Sequence, residues 1–270
     1  MTLPENFQFS QASLSDYAEC ARRFQLRYVL QQQWPAVESE PLLERERLAD
    51  LGQRFHRLVQ QYVHGLPVDA LSRTAANDAD LDRWWHNYLQ WAGSDSSRRL
   101  LPAERRAEVM LSIPFGAHRL VAKYDLLALG EGRALIVDWK TQQKRIERPA
   151  LLRRLQTRVY RYVLAKSDAS LAPESIAMVY WFAEHPAQPE VLEYDAAQLA
   201  ADEDFLRRLV VEIERRDEEI WPLTPDERVC RFCTYRSLCE RGVAAGVEEL
   251  VEVDVEDVEI DLSQIDEIAY

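Results

Sequence analysis

The chain has 270 residues, 47% of them apolar, enough to bury a sizeable core as one large domain or two small ones. No apolar run approaches the roughly 18 residues of a membrane span, and the start lacks a basic, apolar-cored leader, so the expectation is a cytoplasmic protein with no membrane partner. A net charge of −13 argues against a nucleic-acid binder until it is located: residues 247–270 hold ten acids and no Lys or Arg, so residues 1–246, which keep all 33 basic residues, are close to balanced.

Residues 8–30 predict a helix started by Ser13 or Ser15, with Tyr17, Phe24 and Tyr28 recurring at helical spacing. Cys20 sits in its middle, far from any other cysteine, and reads either as a small buried apolar residue or as a metal ligand. A second helix spans about 42–62, with Leu48, Leu51, Phe55, Leu58, Val59 and Tyr62 in one apolar stripe. His56 lies just off that stripe, where an imidazole is either structural or a ligand, and Gly52 precedes it by one turn on the same side. Residues 66–107 read as an insertion of polar loops around an aromatic helix with Trp84, Trp85, Tyr88 and Trp91. Exposed, those rings would stack on unpaired bases; packed, they would form a helix face with Leu81 and Ala92. Residues 108–115 predict a strand, ended by Pro114 and a turn at Gly116.

Two apolar runs follow, 120–129 and 134–137, read as strands over 120–129 and 134–140 and joined by Gly130, Glu131, Gly132 and Arg133, a connection of the hairpin kind. If Leu129 pairs with Ala134 and no bulge intervenes, Asp125 falls opposite Asp138, and strand alternation puts Lys140 on the face of Asp138. Two carboxylates and an amine at one spot are either solvated groups of a surface hairpin or the makings of a Mg²⁺ or Mn²⁺ site, with the lysine stabilising charge on a phosphate. Lysine is scarce: Lys123, Lys140, Lys144 and Lys166 are the only four, against 29 arginines.

Residues 144–166 hold eight basic residues and one acid, Glu147, which makes either a solvated helix face or a track for a phosphodiester backbone, with Arg154, Arg158 and Arg161 as contacts. A helix over 151–164 places Gln156 and Tyr160 on one face. A strand at 176–182 and a helix at 205–213 lead to the Pro-rich run Trp221-Pro222-Leu223-Thr224-Pro225. Cys230, Cys233 and Cys239 then complete, with Cys20, the four cysteines of the chain. Four thiolates suit a [4Fe-4S] cluster or a tetrahedral zinc, which the spacing does not separate, and disulfides are the wrong expectation for a cytoplasmic chain. The tail, 247–270, alternates Val251, Val253 and Val255 with Glu252, Asp254 and Glu256, as in an amphipathic strand or a disordered acidic segment. Its charge suggests competition with DNA for the basic segment.

Asp125, followed by Asp138-Trp139-Lys140-Thr141, resembles the core of the PD-(D/E)XK nuclease superfamily, in particular its RecB-like branch. That branch includes nuclease domains of bacterial recombination helicase-nucleases and CRISPR-associated 5′-to-3′ exonucleases. The resemblance covers most of residues 8–242. It implies an α/β, restriction-endonuclease-like fold over residues 1–246, with a mixed central sheet flanked by helices. It also implies metal-dependent hydrolysis of DNA, single-stranded or at free ends, in repair, recombination or CRISPR-type processing. In that likeness His56, Asp125, Asp138 and the Trp139 carbonyl hold Mg²⁺ or Mn²⁺, and Lys140 positions water. Glu108 supports the site, and Gln156 and Tyr160 look into it and help place DNA. The one-plus-three cysteines resemble the iron-sulfur staple of these nucleases, which favours [4Fe-4S] over zinc and would clamp the N-terminal helix to the C-terminal segment. Tyr124 departs from the family's nominal proline, and Trp139 from a commoner aromatic or apolar residue. There is no G-x-x-x-x-G-K-[ST] loop, so a helicase partner would be a separate chain. Two other readings stand beside this one: a non-catalytic iron-sulfur DNA-binding module, and a nuclease subunit active only within a larger assembly.

Overall fold

A computed structural model of the chain describes residues 3–32, 40–130, 132–231 and 233–242; the acidic tail read from the sequence lies outside the described residues. Strand β1 (Gln8–Ser10) runs directly into helix α1 (Gln11–Glu19). The cap is Ser10, not Ser13 or Ser15: its backbone is extended, its Oγ accepts the Ser13 N–H at 3.2 Å, and the Ser13 Oγ accepts the Ser10 N–H at 2.9 Å. Extended backbone at Cys20 separates α1 from α2 (Ala21–Phe24), which continues as a π-helical turn to Val29. Then come α3 (Glu40–Val63), α4 (Val68–Ala75), α5 (Ala79–Ala92) and α6 (Asp95–Leu100). Three strands follow: β2 (Glu104–Phe115), β3 (His118–Gly130) and β4 (Arg133–Lys140). Helices α7 (Arg148–Arg153) and α8 (Leu155–Ser167) lead to β5 (Ile176–Phe182) and β6 (Glu190–Glu193), and the chain closes with α9 (Ala196–Glu214) and α10 (Glu227–Cys230).

The sheet is mixed. β3 pairs antiparallel with β2 along nearly its whole length, and its other edge is divided. Parallel β1 takes Arg119 to Val121, and antiparallel β4 takes Leu126 to Gly130. Asp125 therefore sits on an edge between two partners, where the ladder passes from one to the next. The register is the one counted from the sequence, with Leu129 opposite Ala134, and Gly130 also pairs with Arg133. The connection is thus two residues rather than four, and Gly132, at φ 71°, supplies the left-handed backbone such a turn needs. β5 lies parallel to β4, with Asp138 level with Tyr180, and β6 closes the far edge.

Each face of the sheet carries its own core. On one, Ala134 and Ile136 of β4 pack with Leu120, Ala122 and Tyr124 of β3 under α1, α8 and α9. On the other, Leu135, Val137 and Trp139 meet the stripe Leu51, Phe55, Leu58 and Val59 of α3 and the aromatic face of α5. The insertion is therefore ordered helix, and its rings are core: Trp84, Trp85, Tyr88 and Trp91 are all buried, with Tyr88 and Trp91 edge-on to Trp139 at 5.4 and 5.7 Å. Phe55 stacks on Trp181 at 6.0 Å, so trimming Phe55 to Ala would cost about 3–5 kcal/mol. Strand alternation reverses at one place. Tyr124 faces the first core and Leu126 the second; on β2, Val109 faces the first and Ala107 the second. Between them lie Asp125 and Glu108, and Glu108 has a left-handed backbone at φ 55°. Such a conformation costs a non-glycine residue on the order of 1 kcal/mol and persists where the surroundings fix it.

Candidate active site

The reversal turns both acids to one spot. Glu108 lies between the pairs Ala107–Leu126 and Val109–Tyr124, directly across from Asp125. α3 brings His56 to the same place, because Phe55 beside it is anchored in the aromatic core. One ligand atom from each of His56, Glu108 and Asp125 lies within 4.8 Å of the others. The imidazole bridges two acceptors, with Nδ1 3.1 Å from Asp125 Oδ1 and Nε2 3.1 Å from the Trp139 carbonyl oxygen. Asp125 Oδ2 accepts the Trp139 N–H at 2.8 Å, so the carboxylate takes over where the β3–β4 ladder ends. Burial alone would lower the His56 pKa, yet the facing Asp125 outweighs it and holds the ring above its ordinary value. Asp125 is pushed up by burial, but His56 and the Trp139 N–H bring it below the usual carboxylate range. A doubly protonated imidazole here makes the two contacts that a cation between a carboxylate and a carbonyl would make. The carboxylate and carbonyl oxygens suit a hard divalent ion, and the imidazole adds a nitrogen donor once a ring proton leaves.

Asp138 and Lys140 share the α8 face, as alternation requires. Asp138 is fully buried; its Oδ1 accepts from Gln156 Nε2 at 2.7 Å, and its Oδ2 lies 3.0 Å from Lys140 Nζ. Asp138 thus turns toward Lys140 and Gln156, while Asp125 turns toward His56 and Glu108. The two clusters are adjacent: His56 feels the charge of Asp138, and Asp125 that of Lys140. Gln156 is held in turn by the Tyr180 hydroxyl at 3.3 Å, which also meets Thr157 Oγ1 at 2.7 Å. Burial raises the Tyr180 pKa well above its usual value and Asp138 adds to this, so the hydroxyl stays protonated and can donate. Tyr160, one turn after Gln156, is buried edge-on to Tyr124 at 5.2 Å, and its carbonyl accepts the Tyr124 hydroxyl at 3.0 Å. Tyr180 had no signal in the sequence, because β4 and β5 are joined by a crossover through α7 and α8 from which a parallel register cannot be counted, and Thr157 is singled out only by the Tyr180 hydroxyl it meets.

The arginines of α8 divide. Arg154, at its N-cap, is part-buried and acts electrostatically on Tyr180. Arg158 pairs with Asp202 at 2.8 Å and lies over the Phe205 ring. Arg161 is buried; its Nε donates to the Thr157 carbonyl at 3.1 Å and its Nη1 to that of Glu193 at 3.0 Å. Asp202 on α9 thus engages both, and they tie α8 to β6 and α9, with Arg161 buried and the Arg158 side chain 27% exposed.

All four cysteines line one cavity, together with Arg23, Arg236 and Arg241. Cys20 comes from the break between α1 and α2, and Cys230 from the end of α10. Arg241 Nη1 lies 3.6 Å from Cys230 Sγ. Burial, with the neighbouring thiols, raises the pKa of Cys233 and of Cys239, so a cation seated there would have to displace their protons. Around the cavity the N-terminal helices and the segment before α10 are already joined: Phe24 stacks on Trp221 at 5.7 Å, and Gln25 accepts the Trp221 N–H and donates to the Glu219 carbonyl, both at 2.9 Å.

A mixed sheet between helices, with acids and a lysine where two strands diverge, defines a restriction-endonuclease-like α/β protein. The model of the PD-(D/E)XK nuclease superfamily matches residues 8–240, and the chain belongs to that superfamily. Among solved structures it is similar to a crystal structure from Eubacterium rectale provisionally named an exonuclease, at 11% identity and TM-score 0.53, over 90% of this chain and 91% of that one. It is also similar to the structure of a protein called SSO0001, at 13% identity and TM-score 0.41 over 90% of each chain. The first likeness is one of fold, and the second carries no argument. No curated protein matches the sequence. Among the described residues, no helix is long and apolar enough to cross a membrane.

Proposed function

We propose that the protein is a Mg²⁺- or Mn²⁺-dependent deoxyribonuclease of the RecB-like branch, with residues 1–246 as its nuclease domain and single-stranded DNA or DNA ends as substrate. The observation that supports this best is the meeting of His56, Glu108, Asp125 and the Trp139 carbonyl beside the buried Asp138–Lys140 pair. His56, Asp125, Asp138 and the Trp139 carbonyl would hold the cation, with Glu108 beside them as a further carboxylate for it to gain. When bound, the ion polarises the phosphate and acidifies a water. Lys140, fixed by Asp138, orients the attacking water and offsets charge that builds on the phosphate. Gln156 holds the Asp138 carboxylate, and Tyr160 packs behind it. Arg154, at the N-cap of α8, would meet the backbone of the substrate, with the part-exposed Arg158 one turn further on.

The thiol cavity reads as the seat of a [4Fe-4S] cluster, with zinc as the alternative, because four thiols from opposite ends of the chain converge on one space lined with arginines. Repair, recombination or CRISPR-type processing is the setting this implies, with any helicase on another chain. The test is digestion of end-labelled single- and double-stranded DNA in Mg²⁺ or Mn²⁺. Cleavage should stop in EDTA, and Asp138→Ala and Lys140→Ala should each abolish it with the fold intact. Cleavage retained by either variant would overturn the assigned site.

A further inference from the structure

Lys123 is bound to this site and has no role in the reading above. It stands two residues before Asp125 on β3, and its Nζ lies 2.5 Å from Glu108 Oε2. The carboxylate is one of the three groups that meet at the candidate cation position. The two lysines of the site differ in freedom: the Lys140 side chain is 4% exposed and clasped by Asp138, whereas that of Lys123 is 39% exposed. Glu108, at 19%, is turned inward by its left-handed backbone.

We propose that Lys123 is a displaceable counter-ion, which occupies Glu108 in the metal-free protein and must be released for the cation to gain that carboxylate. This rests on the reading of His56, Glu108 and Asp125 as a cation site. A divalent ion and an ammonium compete for one carboxylate, because each is drawn by the same negative charge and each repels the other at a few ångströms. The residue type fits a group meant to let go. An ammonium is a compact point charge on a flexible stem, while a guanidinium would grip the carboxylate through two parallel hydrogen bonds. In a chain with 29 arginines and four lysines, lysine stands at this position. Lys123 thereby raises the metal concentration at which the site fills.

The test is titration of the purified protein, without DNA, with Mn²⁺ alone, followed by calorimetry. Lys123→Met should tighten Mn²⁺ binding about two- to fivefold, the range that a partly exposed ion pair is worth. Lys123→Arg, which keeps the charge, should weaken it by a similar factor. Both effects should vanish in a Glu108→Gln background, which separates competition for this carboxylate from a general change in field. Unchanged affinity in the two single variants, or a Lys123→Met effect that persists beside Glu108→Gln, overturns the inference. If the wild-type protein takes up no Mn²⁺ at all, the cation site itself is wrong and the inference falls with it.

Discussion

Replacing Gln156 with Leu asks how firmly the carboxylate of Asp138 is held. Gln156 is buried, and its Nε2 donates to Asp138 Oδ1 over 2.7 Å; Asp138 is itself without solvent contact. Leucine has similar bulk and good helix propensity, so α8 should persist. What disappears is a hydrogen bond to a charged group, worth about 1.5–3 kcal/mol, at an oxygen that water cannot reach. Tyr180 loses only its 3.3 Å contact, since its hydroxyl keeps Thr157 at 2.7 Å. The expected destabilisation is about 2 kcal/mol. With a urea slope of about 2–3 kcal/mol per molar, the unfolding midpoint should fall by a little under about 1 M. Turnover should fall about ten- to a hundredfold, because a carboxylate free to rotate no longer fixes Lys140. The assays are urea unfolding followed by circular dichroism, and initial rates on labelled DNA at saturating Mn²⁺. A midpoint within about 0.2 M of wild type together with normal turnover would show that Gln156 does not position Asp138.

Three further outcomes follow from the same geometry. Protein purified without oxygen should be brown with about four iron atoms per chain, and Cys20→Ser should lower iron content and melting temperature together; stoichiometric zinc would overturn the cluster and leave the nuclease reading standing. Arg154→Ala should flatten the salt dependence of DNA binding by about one phosphate contact, a slope change of about 0.7–0.9, whereas Arg161→Ala should leave the slope alone and destabilise the fold, and the reverse pattern in binding measurements would refute this assignment. In EDTA, the raised His56 pKa means that the folded state binds a proton more tightly than the unfolded chain. Its stabilising contribution is complete below the ordinary histidine range and fades as pH rises through the folded value. The melting temperature advantage of wild type over His56→Gln should therefore shrink as pH rises above the ordinary histidine range, and an advantage that grows would reverse the sign of the pairing.

Much of the site was legible because hairpin arithmetic is exact once one pair is known. Leu129 opposite Ala134 led by counting to Asp125 and Asp138, and the structure keeps that register. The direction in which each acid turns was not legible, since it depends on the reversal at Glu108 and Asp125, and a left-handed glutamate leaves no mark in an alternation pattern. The short strands β1 and β6 escaped for a related reason: three or four residues are too few to show a period. The basic run at α8 read as one surface, but charge counting sees no partner on another element, and Asp202 lies about forty residues further on. The aromatic helix was settled by burial, which the sequence presents only as a face.

The joint between Phe24 and Trp221 also bears on how the protein is made. β1 has no partner until β3 has been synthesised, and the thiol of Cys20 must wait for Cys230, Cys233 and Cys239 at the other end of the described chain. A ribosome therefore releases most of the sheet before the N-terminal helices find their seat, and contacts of such sequence separation form late. A chain cut short between Trp221 and Cys230 would keep the acids, Lys140 and the aromatic clasp but lack three of the four thiols. Any cofactor seated in that cavity would then certify that Cys20 and the segment carrying Cys230, Cys233 and Cys239 had both been made and brought together.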